Sequence, residues 1–183
     1  MEHIEICYMS VVEMAEAVKS KQLSPVEIVD AILRRIEQLN PRVNAYCTLV
    51  AEDAREQARK AEAKLMRGEK LGPLHGVPVS IKDMIFTKGI RTTNGSKIYA
   101  DFVPQQDAIA VERLKTAGAI ILGKTNVPEF GWKGTCDNPL FGVTRNPWNL
   151  ELTPGGSSGG AVASVASGMG PLAIGTDAGG SIR

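Results

Sequence analysis

Histidine is almost absent from this chain, whose 183 residues include two, His3 and His75. A Ser-His-Asp triad uses a histidine as its proton shuttle, and only His75 could serve one, because His3 lies in the amino terminus. No pair of histidines or cysteines has the spacing of metal ligands, so the sequence predicts no metal site. A nucleophilic serine in this chain would therefore need another kind of base, and lysine is the obvious candidate.

Three further shortages narrow the class of protein. The three cysteines are scattered, which fits a reduced cytoplasmic protein better than a disulfide framework. The 21 Lys and Arg residues nearly balance the 20 Asp and Glu residues, so neither a nucleic acid nor a membrane surface is indicated as a partner. No apolar run approaches the roughly 18 residues of a membrane span, and the acidic first five residues lack the apolar core of a secretory signal. The composition predicts a cytoplasmic α/β domain.

The order of helical and strand patterns predicts the fold class. Ser10 and Ser24 each begin a capping box, and the helix after Ser24 is expected to end at Asn40-Pro41. Further elements are predicted at residues 45–50 (strand), 52–66 (helix), 77–81 (strand, with Lys82 at its end), 108–117 (helix) and 119–122 (strand, ended by Gly123). Strands that alternate with helices indicate a mainly parallel sheet covered on both faces. The long irregular passage 126–153 is expected to be functional or pinned by its own side chains.

Two glycine clusters stand out near the end of the chain. The first is Gly155–Gly160, with Ser157 and Ser158 inside it, and the second is Gly179–Ser181. Glycine around serine suggests a backbone that approaches something closely or presents its N–H groups. The first cluster could bind phosphate at a helix start, but it matches neither a P-loop nor G-x-G-x-x-G. The two glycines before Ser181 suit an oxyanion site instead, although G-x-S-x-G fails there.

Lys82 is the lysine that could act as the base. It ends an apolar strand, where a charged group is unfavourable unless it is paired. Burial and neighbouring positive dipoles would favour the neutral amine that a base requires. Asp83 would oppose this if it lay close, but consecutive side chains on a strand point to opposite faces. Taken alone, a lysine at a strand end is more often structural or solvated than catalytic.

These segments together resemble the amidase signature family. The resemblance covers nearly the whole chain from about Ser10, and it rests on residues 76–83, 123–126, 146–148, 155–160 and 175–183. It implies an α/β fold with a mainly parallel, mixed sheet covered by helices on both faces, here truncated after Arg183. Residues 1–183 would then be the N-terminal portion of a single domain, with a helical N-terminal region at 1–70 and an incomplete catalytic core segment at 71–183.

The resemblance also implies a role for each site residue. Ser181 resembles the nucleophile, Ser157 the bridging serine that follows a cis peptide bond after Gly156, and Lys82 the base that takes the proton through Ser157. The backbone N–H groups implied to form the oxyanion hole are those of Ala178, Gly179, Gly180 and Ser181. Supporting hydrogen bonds are implied for Ser158, Asp177 and Arg183, and Asp177 and Arg183 are expected to form a structural ion pair rather than to touch substrate. No cofactor is implied.

The family contains two kinds of enzyme that this chain could represent. A free-standing amidase converts a small-molecule amide to an acid and an amine or ammonia. The catalytic component of the glutamyl-tRNA(Gln) amidotransferase hydrolyses glutamine and passes ammonia to a partner. The amino-acid sequence at residues 126–131 and 175–178 looks more like that of the general amidases. No nucleic acid or membrane partner is expected for such an enzyme.

Chains of this family are much longer, and this departure leads to further expectations. A sheet that stops here would have an open edge that favours pairing with another copy, as a homodimer. Ser181 would lie near a frayable end, so we expect the isolated chain to be weakly active or inactive. The non-enzyme alternative is a truncated chain that persists as an assembly module. A nitrilase-like site using Cys136 is a weaker alternative, and Cys136 is expected to be a packed or idle thiol.

Overall fold

The computed structural model describes residues 3–183. Met1 and Glu2 lie outside the described residues, so the expectation about a secretory signal falls partly beyond them. The helices are α1 (His3–Cys7), α2 (Val11–Lys19), α3 (Pro25–Val43), α4 (Ala51–Met66), α5 (Ile109–Thr116) and α6 (Gly159–Ala166). The strands are β1 (Tyr46–Leu49), β2 (Pro78–Lys82), β3 (Ile120–Thr125), β4 (Asp137–Asn138), β5 (Gly142–Val143) and β6 (Leu172–Ile174). Among these residues, no helix combines the length and apolar character needed to cross a bilayer.

The central sheet is mixed and mainly parallel, as predicted. Its strand order is β1-β3-β2-β6, while β4 and β5 form a separate two-stranded pair. β2 runs parallel to both β3 and β6, and β1 pairs antiparallel with β3. Because β2 lies between two parallel neighbours, its carboxyl end sits at the middle of one sheet edge, where the ends of β3 and β6 also lie.

Helices cover both faces of the sheet, which confirms the predicted layering. Ile120 and Leu122 of β3 belong to one core, which they share with buried residues of α2, α3, α4 and α6. Ile121 belongs to a second core with residues of β2 and with Val111 of α5. Successive side chains of a strand point to opposite faces, so this alternation along β3 places the two cores on opposite sides of one sheet.

The predicted end of α3 at Asn40-Pro41 is wrong. The helix continues through Pro41 to Val43 and ends at Asn44, which adopts a left-handed conformation with φ of 54°. Proline lacks an N–H group but keeps a helical φ, so it removes one hydrogen bond without forcing the chain out of the last turn. The Asn40 side chain then accepts hydrogen bonds from the N–H groups of Ala45 and Tyr46, which fixes the exit into β1.

The predicted end of β3 at Gly123 is also wrong. The strand runs on to Thr125, and Gly123 lies where the pairing with β2 shifts register. Its φ is +152°, and a Cβ there would lie 2.1 Å from the carbonyl oxygen of Thr48 in β1. Glycine therefore serves the close approach of β1 rather than the end of the strand, and β3 can carry Lys124 beside β2.

Side chains of the passage 126–153 hold it in place, in agreement with one of the two expectations. Asn126 donates to the Thr144 hydroxyl at 3.0 Å and accepts from the Asn138 side chain at 2.6 Å. The passage also contains the β4–β5 pair and a single 3-10 turn, Glu129–Gly131. These contacts anchor it to the carboxyl end of β3, next to the start of α6.

Candidate active site

Lys82 is the last residue of β2, and its side chain is fully buried. Its Nζ donates hydrogen bonds to three hydroxyl oxygens: Ser157 Oγ at 2.7 Å, Ser158 Oγ at 3.0 Å and Thr176 Oγ1 at 2.8 Å. A buried amine needs such partners, because an unpaired charge in an apolar interior is strongly unfavourable. The strand that positions Lys82 thus aims it at both glycine clusters.

The first glycine cluster brings its serines against β2 through close backbone packing. A Cβ on Gly160 would lie 2.4 Å from the backbone nitrogen of Asn126 at the end of β3, so only glycine allows α6 to begin there. The peptide bond between Gly156 and Ser157 is cis, as the resemblance implies. The close approach expected of this cluster is therefore confirmed, and it leaves Ser157 and Ser158 buried beside Lys82.

The second cluster completes a chain of three polar side chains. Ser157 Oγ lies 3.1 Å from Ser181 Oγ, and the Ser158 N–H donates to the carbonyl oxygen of Ser181 at 3.2 Å. Ser181 is half-buried, whereas Lys82 and Ser157 are buried. Lys82, Ser157 and Ser181 come from three distant parts of the sequence and form one continuous hydrogen-bonded path from a lysine to a serine that solvent can reach.

Thr176 is a member of this site for which the motifs predicted no role. Besides accepting from Lys82, it exchanges two hydrogen bonds with Ser158: its N–H donates to Ser158 Oγ at 3.2 Å, and its carbonyl accepts from that hydroxyl at 3.0 Å. Ser158 has one hydroxyl hydrogen, which it donates to the Thr176 carbonyl. Towards Lys82 it can therefore only accept a hydrogen bond. The signal for Thr176 was its place between the two clusters, in the segment 175–177.

The electrostatics of the site favour the neutral form of the Lys82 amine, which is the form that can act as a base. Burial lowers the pKa of Lys82 to about 8, although the Asp177 carboxylate acts in the opposite direction. Burial also raises the pKa of the Cys136 thiol, which packs against Asn126 and Thr144 and fits the expected idle thiol. A general base works best when its pKa lies near the operating pH, and Lys82 meets that condition.

His75 is buried elsewhere, with its Nε2 2.9 Å from the carbonyl oxygen of Ala61 in α4.

Asp177 organises the turn that carries Ser181. Its carboxylate accepts from the N–H groups of Gly180 at 2.6 Å and Ile182 at 3.1 Å, and from the Arg183 guanidinium at 2.9 and 2.8 Å. The Arg183 side chain and then these backbone donors hold the pKa of Asp177 well below its usual range. The ion pair expected between Asp177 and Arg183 is present.

The four N–H groups implied for an oxyanion hole differ in their availability. That of Gly180 is engaged by Asp177. Within residues 3–183, no hydrogen bond is formed by the N–H groups of Ala178, Gly179 and Ser181, which lie on the exposed turn beside the Ser181 hydroxyl. Three of the four therefore remain free to donate hydrogen bonds to an oxygen that develops negative charge, and their role stays a prediction.

One wall of the site is formed by Met84, for which the sequence predicted no role, and by the 3-10 turn, which lies in the passage 126–153 that was expected to be functional. A Cβ on Gly131 would lie 2.6 Å from Met84 Sδ and 3.3 Å from Ser157 Oγ, so the turn packs directly against both. Phe130 precedes Gly131 in this turn, and its ring packs edge-on against Tyr99 at 6.1 Å between centroids. No periodic pattern marks these residues, because they lie in irregular segments that meet only in the folded chain.

The fold and this geometry define an α/β protein in which a buried lysine is linked through one serine to a second, accessible serine. The family model described as Amidase matches residues 27–183. The chain therefore belongs to the amidase family, in agreement with the resemblance of its motifs to amidase signature enzymes.

Curated relatives of the chain include subunits of a tRNA-dependent enzyme. The A subunit of the glutamyl-tRNA(Gln) amidotransferase from Carboxydothermus hydrogenoformans is 49% identical over 180 residues, which are 98% of this chain and 37% of the relative. The protein of the same name from Moorella thermoacetica is 50% identical over the same shares. The chain thus spans between a third and two fifths of the length of these relatives.

Solved structures with the same fold include an acylamidase and an amide hydrolase. A bacterial aryl acylamidase of the amidase signature family superposes with a TM-score of 0.92 at 42% identity, over 96% of this chain and 37% of that one. A fatty acid amide hydrolase superposes with a TM-score of 0.95 at 31% identity, over 100% of this chain and 32% of that one. The expected amidase-signature fold is therefore confirmed over the part of these structures that the chain covers.

Proposed function

We propose that the protein hydrolyses a carboxylic amide to an acid and an amine or ammonia through an acyl-enzyme on Ser181. The observation that carries this proposal is the hydrogen-bonded path from Lys82 through Ser157 to Ser181, with steps of 2.7 and 3.1 Å. Both steps are short enough for proton transfer. Membership of the amidase family supports the same reaction class.

In the acylation step, Ser181 Oγ attacks the amide carbonyl carbon while its proton passes to Ser157 Oγ. The Ser157 proton passes in turn to the neutral amine of Lys82, so Ser157 ends the step unchanged and Lys82 becomes an ammonium. When the tetrahedral intermediate collapses, the C–N bond breaks and the proton returns through Ser157 to the leaving nitrogen. Water then attacks the acyl-enzyme with the same path acting as base, which releases the acid and restores Ser181.

The surroundings of Lys82 orient its lone pair for this transfer. Ser158 can only accept from Lys82, because its own hydrogen is committed to the Thr176 carbonyl. A neutral amine has two N–H groups and one lone pair. If one N–H goes to Ser158 and the other to Thr176 Oγ1, the lone pair faces Ser157. Ser158 and Thr176 then act by positioning the base.

Negative charge that develops on the carbonyl oxygen would be stabilised by the turn 178–181. The free N–H groups of Ala178, Gly179 and Ser181 supply donors, and Gly180 joins them if its N–H turns away from Asp177. Asp177 and Arg183 support this turn through their ion pair. Such donors typically contribute a factor of about 10²–10³ in rate each.

A fluorophosphonate probe tests the proposal, since its reaction requires only an activated serine and its base. We expect the probe to label the purified chain at Ser181, located by peptide mass spectrometry, even where the turnover of an amide is weak, and to leave Ser181→Ala unlabelled. Ser164→Ala is the matched control, because that buried α6 hydroxyl donates to the Ala161 carbonyl and lies outside the path from Lys82 to Ser181. Equal labelling of the wild-type and Ser181→Ala chains would contradict the proposal, as would a folded but unlabelled wild-type chain, which is the result expected of an inert assembly module.

A second candidate is a glutaminase that serves tRNA-dependent amidation. It is favoured by the names of the relatives that are 49% and 50% identical. The sequence of the loop at residues 126–131 favours a free-standing amidase, and we retain a free-standing amidase as the first candidate. Hydrolysis of a simple aryl amide and of glutamine should be compared on the same protein. Glutamine hydrolysis that appears only with tRNA and a partner protein would select the second candidate.

The domain organisation, the cellular environment and the oligomeric state of the protein are also proposed. We propose one domain with a helical region at 1–70 and a core segment at 71–183, acting on a small molecule in a reducing, cytoplasmic environment that suits three unpaired cysteines. Homodimerisation would use β6, whose described pairing is with β2 alone. Apolar side chains beside it are half-exposed on α6, at Val162 and Val165. Sedimentation at two protein concentrations tests the dimer.

A further inference from the structure

A second lysine lies fully buried near the site but outside the relay. Lys124 is on β3 and pairs in register with Ile81, the neighbour of Lys82. Its Nζ donates to the carbonyl oxygen of Ile85 at 2.5 Å, to Thr87 Oγ1 at 3.0 Å and to Thr92 Oγ1 at 2.8 Å. All three partners belong to the loop that follows Lys82, so Lys124 ties β3 to that loop.

The hydrogen atoms of this cluster determine its charge. The Thr87 hydroxyl donates to the Ile85 carbonyl at 3.1 Å, and the Thr92 hydroxyl donates to the Ile90 carbonyl at 3.0 Å. Each threonine has one hydroxyl hydrogen, so towards Lys124 both can only accept, and a carbonyl oxygen always accepts. Three acceptors require three N–H groups, and only the ammonium form of lysine has them.

A nearby carboxylate supports that charge. Burial lowers the pKa of Lys124 to about 8, and Asp83 raises it in opposition, so the ammonium form prevails at neutral pH. Asp83 is fully buried and accepts from the hydroxyl and the N–H of Thr93, in the same loop. The side chain that follows Lys82 thus serves the other lysine, as the alternation of a strand predicts.

The loop held by Lys124 connects directly to the catalytic path. The Ile85 N–H donates to the Lys82 carbonyl at 2.9 Å, so the turn after Lys82 is held by Lys82 on one side and Lys124 on the other. Met84 lies in this turn and packs against Gly131, which in turn packs against Ser157. The Phe130 N–H donates to the carbonyl of Asn94 at 2.8 Å, which fixes the wall to the same loop.

We propose that Lys124 is a positioning residue of the site, whose ammonium group fixes the loop 83–95 and thereby holds Lys82 and the Met84–Gly131 wall against Ser157. The inference rests on the proposed function for its readout. It differs from the role of Lys82 in that Lys124 never gives up its proton during the reaction. Its removal should loosen the site without changing the identity of the base.

Lys124→Met tests this, because methionine has a similar length but donates no hydrogen bond. We expect the second-order rate constant for fluorophosphonate labelling of Ser181 to fall at least tenfold, measured well below the melting temperature of the variant. The pH at which labelling is half-maximal should stay unchanged, since that pH reports Lys82. Thr92→Val, which removes one of the three acceptors, should lower the rate by a smaller factor, and it serves as the test if Lys124→Met does not fold.

Ile28→Ala is the stability control, because Ile28 is fully buried in the other core, on α3. It should lower the melting temperature yet keep the labelling rate within about twofold of the wild type, since cavity formation there leaves the loop untouched. Lys124→Met or Thr92→Val labelling as fast as Ile28→Ala would overturn the proposal.

A wild-type chain without labelling would instead refute the proposed function, and amide hydrogen exchange then decides the role of Lys124. Faster exchange of residues 84–95 and 130–131 in Lys124→Met than in Ile28→Ala would support positioning. Equal exchange in the two variants would refute it.

Discussion

The two buried lysines of this molecule show how neighbours, more than burial, decide what a lysine does. Lys82 and Lys124 lie on adjacent strands, each donates to three oxygens, and burial lowers the pKa of each to about 8. All three oxygens around Lys124 can only accept, so that amine must keep its third proton. The three around Lys82 are hydroxyls, and the Ser157 hydrogen can turn towards a neutral amine.

A lowered pKa is necessary for a lysine that acts as a base, but it is not sufficient. A base also needs a neighbour with a hydrogen to give, and that neighbour must lead to the reacting atom. Ser157 meets both conditions because it contacts Ser181 on its other side. Thr87 and Thr92 meet neither, because their hydrogens are bound to main-chain carbonyls. Variants around each lysine can test this distinction.

The largest effect is expected from Lys82→Met. Removal of the base should lower the labelling rate of Ser181 by about 10³-fold, within the range that general base catalysis contributes. Lys82→Arg should not restore it, because a guanidinium stays protonated and has no lone pair to offer. Labelling rates and melting curves of the two variants provide the measurement. A Lys82→Met chain that labels within tenfold of the wild type would mean that another group is the base.

The pH profile of the wild-type chain should show the next largest effect. Only neutral Lys82 can take a proton, so the labelling rate should rise about tenfold per pH unit below the pKa and level off above it. With a pKa of about 8 for Lys82, the plateau should begin near that pH. Rates measured from pH 6 to 9.5 check this. A flat profile, or one that falls between pH 6 and 8, would remove Lys82 from the mechanism.

Much of the fold was predictable from sequence because it depends on local signals. The capping boxes at Ser10 and Ser24 begin helices where expected, and the β-branched run before Lys82 forms a buried strand. The ends of α3 and β3 were not predictable, because Pro41 and Gly123 act through contacts with the chain beyond them. A residue that usually ends an element can continue it when the tertiary structure needs that residue there.

The site shows the same division. Sequence motifs identified Lys82, Ser157 and Ser181 before the structure was known. The fold brings all three side chains together. The 3-10 turn lies in the passage 126–153, which was expected to be functional, but no role was predicted for Thr176, Met84 or Lys124. Those functions depend on which hydroxyl hydrogens are already committed and on which loops meet, and neither is visible before the chain is folded.

Thr176→Val should produce a moderate effect. The substitution keeps the shape of the side chain but removes one of the two acceptors that turn the Lys82 lone pair towards Ser157. Loss of one hydrogen bond of this kind should lower the labelling rate about tenfold. Thr176→Ser retains the hydroxyl and should label within about threefold of the wild type, as expected for an ordinary side-chain hydrogen bond. Equal rates for the valine and serine variants would show that Thr176 does not orient the base.

The smallest expected change is a shift in the half-maximal pH of labelling, which depends on the carboxylates that act on the two lysines. Asp177 raises the pKa of Lys82, whereas Asp83 raises that of Lys124. Asp177→Asn removes a negative charge that favours the Lys82 ammonium, so the pKa of Lys82 should fall and labelling should reach half its maximum at lower pH. Asp83→Asn should leave that pH unchanged and instead lower the free energy of unfolding by about 1 kcal/mol, since the amide can still accept from Thr93.

Labelling profiles and denaturant melts on both variants separate the two lysines. Asp177 also binds Arg183 and the turn around Ser181, so the maximal rate of Asp177→Asn is expected to fall as well. The half-maximal pH is the informative quantity, because loss of the turn alone would lower the rate without moving it. If Asp83→Asn moved the half-maximal pH and Asp177→Asn did not, the labelling would report Lys124, and the roles of base and anchor would have to be exchanged.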